Sequence, residues 1–216
     1  GNKLRSILTT LGIIIGVFAI IILVSLGTGL QKYITGQISG LGSNLIFVIP
    51  GSAGGARSPG GIIANKLLIS DAVVLESKLR SQANISPLIQ QTATVKYENK
   101  TDKGIIVQGV SANYPQIISI NIAAGSFFTQ GQERSGAKVA IIGQTVVKKL
   151  FPNLSPVGKS IMLGNARYKV IGTMAKRGSI FGIDQDNSAI IPVTSAKRQF
   201  GIININSIYI SAKTSN

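Results

Sequence analysis

Three short stretches carry residue types that could do chemistry. Gly158-Lys159-Ser160 ends as a phosphate-binding loop ends, with a lysine for phosphate oxygens and a hydroxyl for a metal ion. That loop also needs a glycine five residues before Gly158, where Asn153 stands, and a preceding strand, where Phe151-Pro152 stands. Phosphate binding and nucleotide hydrolysis are therefore not expected. Asp184 and Asp186, in Gly182-Ile-Asp-Gln-Asp-Asn-Ser188, are spaced like the first ligands of a calcium loop, but Ala189 and Ser195 occupy the places of its glycine and its closing glutamate. The expectation is a solvated connection, with incidental cation contact as the lesser alternative. Asp71 and Glu76 fall five apart on one helical pattern and point in different directions, so they form no acid/base pair.

Composition narrows the chemistry further. The chain of 216 residues has no cysteine and no histidine, which removes thiol nucleophiles, cysteine-based zinc sites, His triads and the commonest metal ligand. Only seven carboxylates remain against 22 lysines and arginines, for a net charge of +15. No catalytic residue, metal site or cofactor site is expected. The positive balance predicts attraction to anionic surfaces, yet the cations are scattered, and their tightest groups are pairs: Lys148-Lys149, Lys176-Arg177 and Lys197-Arg198. With no tryptophan and few aromatics beside them, stacking platforms for bases are not suggested, and nucleic acid is not an expected partner.

The element that must organise the rest is the stretch from Ser6 to Gln31, which has no charged side chain. A helix needs about 20 mostly apolar residues to cross a hydrocarbon layer, and Ile7 to Leu26 supplies them. Lys3 and Arg5 ahead of it favour a cytoplasmic N-terminus, with the main domain beyond the membrane. Gly12 and Gly16 are spaced as GxxxG, which admits close helix packing in lipid; the alternative is a lipid-facing pair. A cleaved signal peptide has a shorter apolar centre, and a dinucleotide-binding turn at Gly27-Thr28-Gly29 lacks its third glycine. Because Gly1 is not methionine, the sequence is expected to be a fragment.

Past the apolar run, Leu30, Tyr33, Ile34 and Ile38 keep helical spacing on one stripe. A helix continuous from Leu4 to Ser39 would be roughly 50 Å long and stand clear of the bilayer as a stalk; the competing reading is an amphipathic helix lying on its own domain. Residues 1–30 are thus expected as the transmembrane helix and 31–44 as stalk and turn. A strand follows over Leu45 to Ile49, then a Gly/Ser loop over Ser52 to Gly61. A helix opens near Ser70 as N-cap, and an alternating strand over Ile85 to Glu98 meets a partner over Gly104 to Val110 across a turn at Asn99 to Lys103.

At this point the residues resemble a known family. Leu41 to Gly51, Val107 to Tyr114, Gly125-Ser-Phe-Phe-Thr129, Val139 to Gly143, Leu150-Phe-Pro152 and Pro156 to Ile161 are similar, in the same order, to the MacB-type ABC transporter permease, in its first transmembrane helix and extracytoplasmic core domain. The second half reads as a short helix over Tyr114 to Ile118, a turn with two buried aromatics at Gly125 to Thr129, a buried strand over Lys138 to Ile142 and a helix over Gln144 to Leu150. A hairpin around Gly164-Asn165, a strand over Ala189 to Val193, a helical turn over Thr194 to Phe200 and a last strand over Ile202 to Ala212 complete it. The fold class is α+β: an N-terminal transmembrane helix and stalk, then a two-lobed extracytoplasmic domain with a β-α-β-β lobe (45–118 and 189–216) and a smaller, mostly β lobe (119–188).

The resemblance implies a permease fragment of the cell membrane that transmits ATP-driven motion to an extracytoplasmic domain acting in export. It implies an ABC-type ATPase partner on another chain or portion, a second permease copy, lipid around the helix and, where an outer membrane exists, an adaptor protein. In the segment around Gly158 the resemblance implies a structural turn into a strand. The rival reading is a membrane-tethered basic module that captures anionic lipid or polymer.

Overall fold

A computed structural model of the chain describes residues 3–39, 45–51, 67–180 and 182–213. The expected turn at 41–44 and the Gly/Ser loop at 52–61 lie outside these, as do the side chains of Tyr33 and Ile38. The chain divides into two compact units, residues 1–41 and 42–216.

The first unit is helix α1, Lys3–Ser39, 37 residues without interruption. At about 1.5 Å per residue it is about 55 Å long. Its stretch from Ile7 to Gly36 is long and apolar enough to cross a membrane, and none of its most apolar window is buried by the protein. Inside that stretch the Thr28 hydroxyl donates to the Val24 and Ser25 carbonyls (2.9 and 3.1 Å), which satisfies a polar group locally where lipid would offer no partner.

The second unit is built on one nine-stranded sheet. Its strands are β1 (Leu45–Val48), β2 (Ala83–Tyr97), β3 (Lys100–Val110), β4 (Ile122–Gly125), β5 (Val139–Ile142), β6 (Ser160–Leu163), β7 (Ala166–Met174), then β10 (Ser188–Pro192) and β11 (Ser207–Ala212) after the small hairpin β8–β9 (Ser179–Ile180, Ile183–Asp184). Pairing runs β1-β11-β2-β3-β10-β5-β7-β4, and β6 pairs with both β2 and β7. The strands β2, β3, β10, β5, β7 and β6 therefore close a ring of pairings. Val95 meets Leu163 and Lys96 meets Met162 where the ring closes. The ring takes strands from both stretches expected as separate lobes, so the two share one sheet.

Side chains alternate across this sheet with the period of two that a strand imposes. Ala140, Ile142, Ala189 and Ile191 face one core cluster together with Ile89, Val107, Tyr168 and Val170. Val139, Ile141 and Ile190 face the other, with Leu88, Tyr114 and Phe128. The runs Val139–Ile142 and Ala189–Ile191 are apolar throughout because both faces are covered. Helices α2 (Ile69–Leu79), α5 (Gln144–Leu150) and α6 (Val193–Phe200) cover the first face, and the short α3 (Tyr114–Ile117) the second.

Several local expectations shift. The α2 cap is not Ser70, which lies inside the helix; the Asp71 carboxylate accepts from the Leu68 N–H at 2.8 Å. The β2–β3 turn is the pair Glu98-Asn99, because Lys100 to Asp102 continue the ladder opposite Tyr97 to Val95. Four elements had no counterpart in the sequence reading: β4, α4 (Gln130–Ser135) and the two strands of the β8–β9 hairpin.

Candidate functional site

On α1, Gly12 and Gly16 have open space beside them: a side-chain carbon at either would meet nothing within 4 Å. Of the stripe, Leu30 and Ile34 are exposed. These surfaces are free to meet lipid or another helix.

In the second unit, Gly158-Lys159-Ser160 is a turn into β6. The Gly158 N–H donates to the Val170 carbonyl (2.8 Å), and the Val170 N–H donates back to the Lys159 carbonyl (2.8 Å). Gly158 has φ of +86°, a left-handed conformation that favours glycine. Of the amides that a phosphate would need, the Gly158 N–H is thus spent on β7 and the Lys159 N–H on the Pro156 carbonyl (3.1 Å).

Asp184 and Asp186 act as a clasp. Asp184 accepts from the Thr145 hydroxyl (2.7 Å) and the Asp186 N–H (2.8 Å). Asp186 accepts from the Arg177 and Gly178 N–H groups (2.9 and 3.0 Å). It is 4% exposed, so this is no solvated connection but a buried latch across the small hairpin. Gly143 lets the strand-to-helix turn before α5 lie against this loop, since an added Cβ would sit 2.2 Å from the Asp186 carbonyl.

A cleft of about 550 Å³ lies between α2 and α4, floored by the segment from Ser111 into α3. From α2 come Val73 and Glu76, and from its C-cap Arg80, spaced by three and four along one face. From α4 come Gln130, Glu133 and Arg134. Thr129 and Gln132 cap α4 reciprocally: the Gln132 N–H donates to the Thr129 hydroxyl (3.3 Å) and the Thr129 N–H to the Gln132 amide oxygen (2.9 Å). Glu133 accepts from the Ala112 N–H at 2.7 Å, and its carbonyl accepts from the Thr194 hydroxyl. Burial pushes the Glu133 carboxyl up; the Ala112 and Ser111 donors oppose that shift, and the negative charge of Glu76 adds to it. Sequence reading missed this cleft, although the Thr129-x-x-Gln132 pattern that announces α4 was available. Among the described residues there is no cluster of three or more acidic, histidine or cysteine side chains able to hold a metal.

A family model, the MacB-like periplasmic core domain, matches residues 6–216. The chain belongs to that family. The pyoverdine export ATP-binding/permease protein PvdT of Pseudomonas aeruginosa is 35% identical to this MacB-like chain over 213 residues, 98% of this chain and 31% of that protein. The macrolide export ATP-binding/permease protein MacB of Bdellovibrio bacteriovorus is 32% identical over 215 residues, covering 98% and 33%. The MacB-like chain thus spans about a third of the length of these relatives. Its fold is that of the periplasmic region of MacB from Actinobacillus actinomycetemcomitans, with a TM-score of 0.68 at 22% identity over 83% of this chain and 79% of that one. The extracellular domain of the noncanonic ABC-type transporter YknZ from Gram-positive bacteria gives 0.63 at 20% identity, over 80% and 85%.

Proposed function

We propose that the chain is the first transmembrane helix and extracytoplasmic domain of an export permease, and that it transmits ATP-driven motion across the membrane. The observation that carries this reading is the unbroken helix α1, which continues beyond its uncharged stretch to Ser39. A continuous helix transmits rotation and translation, whereas a flexible linker dissipates both. Hydrolysis belongs to an ABC-type ATPase, a second permease copy completes the unit, and lipid surrounds α1. An adaptor protein extends the assembly where an outer membrane is present. Within the outer domain, residues 119–188 form a smaller lobe joined through the shared sheet to the lobe formed by 45–118 and 189–216.

The test is cysteine crosslinking at Leu30, Tyr33, Ile34 and Ile38 between permease copies in the assembled transporter. Crosslinking yields should change between nucleotide-free and ATP-bound states. Yields indifferent to nucleotide would sink the proposal.

One observation favours the rival reading of a tethered basic module. The net charge is +15, and the described residues contain one ion pair, Lys149 with Asp102 at 2.9 Å. If anionic capture is the function, affinity for anionic vesicles will exceed that for neutral ones and fall steeply between low and physiological salt.

A further inference from the structure

The α2–α4 cleft is built for a ligand of definite charge pattern, and we propose that it binds a small zwitterion carrying one free ammonium group and one free carboxylate. Each wall contributes one acid and one base: Glu76 and Arg80 from α2 and its C-cap, Glu133 and Arg134 from α4. The wall charges cancel, which suits a neutral molecule with separated charges better than a polyanion or a polycation.

Three observations point to a missing partner. Glu76 and Arg80 stand one turn apart, where a helix readily forms an ion pair, yet the structure has none between them. Beneath the cleft floor the Asn113 amide oxygen is buried and accepts no hydrogen bond, which costs stability. Its orientation is fixed, because the amide nitrogen donates to the Ile85 carbonyl at 3.0 Å and a flip would set two oxygens face to face. Finally, Glu76 and Glu133 line the same cleft from opposite walls, and the negative charge of Glu76 adds to the proton affinity of Glu133. A primary ammonium has three donors and no acceptor, and it matches the carboxylate acceptors of Glu76 and Glu133. Arg80 and Arg134 are left for a carboxylate, which a guanidinium engages through two parallel hydrogen bonds. The lining is polar apart from Val73 and Ala112, unlike the mostly apolar pockets that hold drug-like molecules, while the volume falls within the range of ligand sites.

The source of the two groups is either a free amino acid or a short peptide, and titration calorimetry of the whole chain in detergent micelles separates them. The probes are L-alanine, trialanine, N-acetyl-trialanine and trialanine amide. A free-ended probe should bind, and blocking either end of trialanine should weaken binding at least tenfold. Tighter binding of alanine would assign an amino acid, and tighter binding of trialanine a peptide. The exposed positions allow E76Q and R80Q without disturbing the core, with circular dichroism confirming the fold. E76Q should lose affinity for the amidated probe but little for the acetylated one, and R80Q the reverse. No binding of either free-ended probe at millimolar concentration, or equal affinity for free and blocked ends, would overturn the assignment.

Discussion

Glu133 shows how one side chain links packing to pH. Its folded-state carboxyl holds its proton more tightly than in the unfolded chain, chiefly because it is buried. The stability tied to that proton is present at low pH and lost as pH rises through the folded-state value. Glu133→Gln keeps an acceptor for the Ala112 N–H and removes the titration. Thermal unfolding followed from pH 4 to pH 7 should therefore show the wild type losing stability relative to E133Q as pH rises; parallel curves would contradict the role given to burial. At Asp102 the packing rests on an ion pair. The residue is a buried carboxylate whose Oδ1 accepts from Lys149 and whose Oδ2 has no partner. Lys149→Met should destabilise the domain by about 1–3 kcal/mol, the cost of a buried polar group left without its partner. Adding D102N should recover part of that loss in denaturant melts. Lys149 is itself half-exposed, which places the effect toward the lower end.

At the level of elements, close approach decides the outcome. Helix α6 lies so near β3 that a Cβ on Gly109 would sit 2.3 Å from the Ala196 Cβ. Gly109→Ala should cost about 1–3 kcal/mol through overpacking, whereas Gly104→Ala, with open space around it, can suffer only from its positive φ. Comparing the two melts isolates the packing contribution. On α1, replacing Gly12 and Gly16 with Ile should reduce helix association in a membrane dimerisation assay several-fold if that face meets another helix; unchanged association would assign the face to lipid. The elements most legible in sequence were those with strong periodicity or a turn of special chemistry. Examples are α1, α5 and the β6–β7 hairpin, whose Gly164 takes φ of +58°. Those that escaped reading lack such signals. Strand β4 is four residues long and largely exposed. The β2–β3 turn places Glu98 at positive φ, a conformation that glutamate composition does not announce. Helix α4 has no buried residue, so hydrophobic periodicity could not find it, and the cleft it walls was hidden with it.

For the molecule as a whole, charge and topology matter more than any single contact. The family, the α+β class and the apolar anchor were readable from residues spread along the chain. The site residues of the cleft were not, because Glu76 and Glu133 are far apart in sequence and only the fold unites them. The closed ring of strands carries a further consequence, for the birth of the protein. Closure joins Val95 to Leu163, partners separated by about seventy residues of intervening chain, and contacts of such separation form late because loop entropy opposes them. A nascent chain leaving the ribosome will hold one edge of β2 unsealed, at Val95 and Lys96 until β6 has been made and at Ala83 to Leu88 until β11 has been made. That interval is when a chaperone would be needed, and when slowed translation between these strands would most favour clumping.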